Sequence, residues 1–255
     1  MDAERLGAGS LLFPPRLDSS RASEPPSWSR AACRNADPLC AQRKFPRRIA
    51  RPKVAARKVD YQQLMQWRPE WVFAYGSLMW RADLVPLEWQ LARVHGWHRA
   101  LSVYAIGGRG SPQQPGLWFA LEPGGSVTGT ALRLHPRHVE TQLERIWRRE
   151  MPDSAYRAVK VVCRLADGRV VQALAFAANP ASRLHAPRLA PVQVSRLLLQ
   201  GRGPLGTSLD YVRRTAQALA RAGARAASLE RMLRQAASLS APAADRRSTP
   251  RTGAA

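Results

Sequence analysis

Apolar and polar positions first fall into a pattern near Tyr61. Trp71-Val72-Phe73-Ala74-Tyr75 is a short aromatic and β-branched run that stops at Gly76-Ser77, which predicts a buried strand feeding a tight turn. Similar runs predict strands over 100–106, 117–121, 127–134, 158–165 and 170–177, and Asp167-Gly168 between the last two predicts a hairpin. After Pro136 the period changes: Val139, Leu143, Ile146 and Glu150 recur at helical spacing until Pro152 ends the helix. The C-terminal third predicts helices over 192–199, 209–222 and 226–237. Many strands, one embedded helix and a helical end predict an α+β domain whose mixed, largely antiparallel sheet closes toward a barrel. The strand–helix alternation of a doubly wound sheet is missing, and so are the GxGxxG and GxxxxGK[ST] phosphate loops. Gly107-Gly108-Arg109-Gly110 leads into no helix and reads as a flexible loop.

The flanks carry no such pattern. Residues 1–60 mix Pro14-Pro15, Pro25-Pro26, Ser/Arg clusters and a basic run from Arg43 to Lys58, and residues 241–255 are rich in Ala, Pro and Arg. Both read as disordered tails around a domain of residues 61–240. A translation start at Met65 explains the first segment equally well. The acids Asp2 and Glu4, and the break of Leu11-Leu12-Phe13 at Pro14, do not fit a secretory signal.

Composition narrows the function classes. No apolar run approaches the ~18 residues of a membrane-spanning helix. Three cysteines are too few and scattered for a disulfide framework or a four-ligand zinc site, so a reducing, cytoplasmic compartment is expected. The net charge of +22 is spread along the chain, and only Lys44, Lys53, Lys58 and Lys160 are lysines. An Arg bias of that kind reads as genome composition, and nucleic acid is not the expected partner. His135 and His138 lie near a helix start without an acidic partner at metal spacing, and no metal or cofactor is expected. The eight tryptophans fall mostly within strand or helix patterns and read as core, as does Cys163.

Two features carry chemistry. The Gly76-Ser77 turn exposes backbone N–H groups suited to a carboxylate or a developing oxyanion, although many strands end this way. Glu150 falls on the apolar face of its helix, with Arg148 and Arg149 directed elsewhere. A carboxylate there is either at work, or paired with Arg157, or exposed past a frayed helix end.

Val72–Trp80 together with the later Trp147-Arg148-Arg149-Glu150-Met151 resembles the ChaC-like γ-glutamylcyclotransferases. Further segments fit in the same order across roughly residues 70–235: Val94–Arg99, Arg109–Pro112, Pro115–Leu117, Tyr156-Arg157, Ala175–Asn179 and Leu209–Tyr211. The chain departs from the family pattern at Ala74, Gly108 and Arg214. The resemblance implies a cytoplasmic enzyme that cleaves glutathione, or another γ-glutamyl amine, to 5-oxoproline by attack of the substrate's own amine. It implies Glu150 as the base, and Ala74, Tyr75, Gly76, Ser77, Leu78 and Met79 as the substrate-binding turn, with the Tyr75 hydroxyl directed at substrate. The alternative from another class is an inactive basic protein that binds nucleic acid.

Overall fold

The computed structural model describes residues 58–81, 84–186 and 188–240. The tails read over 1–57 and 241–255 lie outside them. β1 (Lys58–Val59) pairs with Ala158 and Val159, and Asp60 caps α1 (Tyr61–Trp67), accepting from Gln63 N–H while the Gln63 side chain accepts from Asp60 N–H. Residues 58–60, read above as the end of a disordered tail, are therefore structured.

Five strands close on themselves. β3 (Glu88–Ala105), β4 (Gly116–Arg133), β2 (Trp71–Ala74), β6 (Val170–Ala178) and β5 (Tyr156–Leu165) follow in that order, and β5 returns to pair with β3. All these pairings are antiparallel except those of β6 with β2 and β4. The closed α+β sheet expected from the sequence is present, and β5 and β6 form the hairpin at Asp167-Gly168, where Gly168 has a φ of +90°.

Strand lengths differ from expectation. The runs 117–121 and 127–134 belong to one strand, β4, and the run at 100–106 is only the end of β3. Pro123-Gly124-Gly125 looks like a strand break, but it is a bulge. Trp97 faces Pro123 and His95 faces Ser126, so Gly96 opposes both Gly124 and Gly125. All three glycines have positive φ, and this lets the long hairpin bend into a barrel wall without losing its pairing.

The barrel interior is filled from alternate positions of each strand, including Phe73, Val94, Leu117, Phe119, Leu121, Val159, Val161 and Ala175. Cys163 is buried there as a free thiol, which burial pushes up to about 12. The outer face of β2 and β6 presents Val72, Ala74, Leu174 and Phe176 to Leu143 and Ile146 of α2 (Val139–Glu150), which follows a 3-10 turn at Pro136–His138. α3 (Pro191–Gln200), the short hairpin β7 (Arg202–Gly203) and β8 (Gly206–Thr207), α4 (Ser208–Arg221) and α5 (Ala227–Ser240) complete the chain.

The far edge of β3 is covered by a loop. Tyr104 N–H donates to Leu184 C=O, Ala186 N–H donates to Ser102 C=O, and His185 Nε2 meets Glu122 Oε1 at 2.8 Å. Burial alone would raise the Glu122 carboxyl, but the His185 hydrogen bond and the His185 and His98 charges hold it below its ordinary value. A lowered carboxyl stabilises the fold above its unfolded-state pKa, and that contribution disappears as pH falls through the lowered folded-state value. Melting curves on the acid side should show this directly: Glu122→Gln lowers Tm at neutral pH, and its curve converges with the wild-type curve in acid.

Candidate active site

β2 pairs with β4 only over Thr130–Arg133, and β6 meets β4 at one point, Leu121 against Ala177. On this side β4 therefore has backbone groups near Phe119–Leu121 without a continuous partner strand. Tyrosine hydroxyls take that place. Tyr211 Oη accepts from Phe119 N–H at 3.3 Å, Tyr156 Oη donates to Phe119 C=O at 3.0 Å, and Tyr75 Oη donates to Phe176 C=O and faces Leu121 N–H. Burial, followed by neighbouring charge that includes the Glu150 carboxylate, pushes all three hydroxyls up, so they stay protonated and neutral.

The turn after β2 sits in this gap. Ala74 ends the strand, Tyr75 is 7% exposed, and Ser77–Met79 form a 3-10 turn with Gly76 at its head. Met79 N–H returns to Gly76 C=O at 3.0 Å, and no side chain caps the turn, so its leading N–H groups stay available to a ligand. Arg99 fixes the peptide before it, with Nε donating to Tyr75 C=O at 2.6 Å and Nη2 to Thr128 C=O at 2.7 Å. Burial lowers that guanidinium to about 10, and it remains charged at neutral pH. Gly76 is required by close approach. A Cβ there would lie 2.7 Å from the Tyr211 hydroxyl.

Glu150 is the last residue of α2 and is 16% exposed. Its companion is Arg149, not Arg157. Arg149 Nε lies 3.1 Å from Glu150 Oε1, and its Nη2 donates to Ser77 Oγ at 2.7 Å. Arg149 therefore does not point elsewhere, as helical spacing had suggested. Its side chain turns inward at the end of α2 and joins the helix end to the turn. The Arg157 guanidinium instead lies over the Trp97 ring, 5.9 Å from its centroid. The structure thus brings Ala74–Met79 and Glu150 into one place. It departs from expectation at the Tyr75 hydroxyl, whose proton is committed to Phe176 C=O.

Sequence reasoning missed Arg149, Arg99, Tyr156 and Tyr211 as members of this site. A tyrosine three positions from Ser208 and one from Val212, both buried on α4, was the available signal for Tyr211. The loop at Gly107–Gly110, read from the sequence as flexible, is packed against the fold. Arg109 is 3% exposed among the rings of Trp80, Trp118 and Tyr211, and a Cβ on Gly110 would lie 2.2 Å from Ala105 O. The loop props Tyr211 against the turn. Among the described residues no three His, Cys, Asp or Glu side chains gather as a metal set, and no helix is long and apolar enough to cross a membrane.

The profile of the ChaC-like protein family matches residues 70–238. A glutathione-specific gamma-glutamylcyclotransferase of Escherichia coli K12 is 36% identical over 155 residues, 61% of this chain and 67% of that protein. Glutathione-specific gamma-glutamylcyclotransferase 1 of Homo sapiens is 27% identical over 150 residues, 57% of this chain and 68% of that protein. A crystal structure of a glutathione-specific γ-glutamyl cyclotransferase from yeast shares the fold with a TM-score of 0.61 at 17% identity, covering 66% of this chain and 95% of that one.

The contact between Gly76 and Tyr211 can be tested by a double-mutant cycle. Gly76→Ala should destabilise the protein by about 1–3 kcal/mol, because Tyr211 is wedged and cannot retreat. In the Gly76→Ala background, Tyr211→Phe removes the clashing oxygen and should raise the denaturation midpoint. Simple additivity of the two losses would show that the hydroxyl does not press on the turn.

Proposed function

The chain belongs to the ChaC-like family, and on that premise we propose that it is a glutathione-specific γ-glutamylcyclotransferase acting through Glu150 and the turn Ala74–Met79. One observation carries the assignment of residues: a single guanidinium, that of Arg149, touches both Ser77 and Glu150. Turn and carboxylate therefore face the same space.

The reaction uses no water. The substrate's α-amine attacks its own γ-carbonyl, the new N–C bond closes a five-membered ring, and the amide bond to cysteine breaks. Products are 5-oxoproline and Cys-Gly. The amine is protonated at neutral pH, so a base must act first, and the Glu150 carboxylate takes that proton. The protons shed by the attacking nitrogen end on the departing cysteine nitrogen, leaving no net proton consumed. Glu150 serves for both transfers.

The turn holds the glutamyl half. Its uncapped N–H groups receive the α-carboxylate and the oxygen of the γ-carbonyl, where charge grows as the ring closes. Arg99 supports this by pinning the Tyr75 carbonyl, and the neutral tyrosines provide a dry wall that adds no charge of their own. Because attack is intramolecular, holding amine and carbonyl together supplies much of the rate. Arg149 keeps the carboxylate placed against the turn. We further place the protein in the cytoplasm, in keeping with the free thiol of Cys163, and assign nucleic acid no part in its function.

Glu150→Gln keeps the shape of the side chain and removes the basic oxygen. Release of 5-oxoproline from glutathione should fall about 10²–10⁴-fold while KM changes far less. A folded Glu150→Gln protein with near-native turnover would remove Glu150 from the mechanism.

A further inference from the structure

The turn addresses only the γ-glutamyl half of a substrate, yet a second feature begins where it ends. Trp80 follows Met79 directly, and its ring meets Tyr211 edge-on with centroids 6.2 Å apart. Beyond this pair lies a hollow of about 420 Å³ between Trp80 and the outer face of α4, lined also by Asp210, Arg213, Arg214, Gln217 and Arg221. We propose that this hollow binds the carboxylate at the far end of the substrate's leaving group, and that Arg214 is its principal ligand. The proposal rests on the cyclotransferase reading above.

Charge points to an anion. Asp210 is the one acid in the lining, and it is already surrounded by guanidinium groups. Arg214 Nε lies 2.8 Å from it, and Arg213 Nη1 and Arg109 Nη1 are each 3.9 Å away. Three arginines and one carboxylate in the lining leave a surplus of positive charge.

Preorganisation singles out Arg214. Asp210 holds its Nε from one side, and the Trp80 ring lies 5.4 Å from its guanidinium carbon on the other. The same indole is fixed in turn, by Arg109 at 5.5 Å and by the bond from Nε1 to Thr215 Oγ1 at 3.3 Å. Asp210 and Trp80 thus bias the exposed Arg214 side chain toward one place, and the terminal nitrogens of a guanidinium suit a carboxylate in a fork geometry.

Trp80 links the two places. Tyr211 Oη meets Gly76 in the turn, and the Trp80 ring that meets Tyr211 edge-on also lies against the Arg214 guanidinium. On this proposal the cysteine nitrogen of a departing dipeptide leaves from the turn, and its C-terminal carboxylate extends past Trp80 toward Arg214.

The test compares glutathione with the same peptide carrying a glycine amide in place of the terminal carboxylate. Wild-type protein should show kcat/KM about tenfold or more in favour of the acid, a preference that shrinks with added salt. Arg214→Gln should reduce that ratio to within about twofold of unity by lowering the glutathione value, and Arg214→Lys should keep part of it. Arg231→Gln, at an exposed position of α5, removes the same charge and should keep the wild-type ratio, which separates a local contact from net charge. Equal turnover of both peptides by the wild type, or an unchanged ratio in Arg214→Gln, overturns the subsite while leaving the cyclotransferase reading intact. Release of 5-oxoproline from neither peptide overturns both.

Discussion

The site exists because β2 is too short to pair with the whole of β4. It contributes four residues, Trp71–Ala74, and then leaves the barrel wall at Tyr75. The backbone groups of Phe119 and Leu121 that a longer strand would have satisfied are buried, and an unsatisfied buried amide or carbonyl costs on the order of 1–3 kcal/mol. Three tyrosines from three different elements meet that demand, and in doing so they line the gap with neutral hydroxyl-bearing rings. The turn, the end of α2 and the first turns of α4 are gathered at the same opening.

Electrostatics inside the gap follow from that arrangement. A carboxylate near a buried space is costly unless it is paired, and Glu150 has Arg149 beside it. Arg149 in turn reaches Ser77, so the pair that makes Glu150 tolerable also fixes it against the turn. Arg99 enters from β3 and satisfies two carbonyls rather than a carboxylate, holding the peptide ahead of Gly76.

Much of this was legible in the chain. The apolar run to Gly76-Ser77, the helical spacing that put Glu150 with Leu143 and Ile146, and the Asp167-Gly168 hairpin each reported a local rule that the fold obeys. What failed depended on distant partners. Gly124 and Gly125 look like punctuation in a strand, and only the facing Gly96 turns them into a bulge. Arg149 follows helical geometry by its position but not by its side chain, because its partner is Ser77, far away in sequence. Arg109 lies in a glycine-rich stretch that reads as flexible, whereas Gly110 has no room for a Cβ because backbone from Ala105 and Gly116 passes close by, and Gly108 faces the Leu205 and Trp118 side chains. The role of Tyr156 and Tyr211 is set by a missing strand, and no window of sequence displays an absence.

In the proposed reaction this site closes a ring and adds no water. Incubating the protein with glutathione in water enriched in ¹⁸O, and analysing the products by mass spectrometry, tests it directly. Ring closure by the substrate's own amine yields 5-oxoproline without incorporated label, together with Cys-Gly. Glutamate carrying ¹⁸O in its side-chain carboxyl would show that water is the nucleophile and would contradict it.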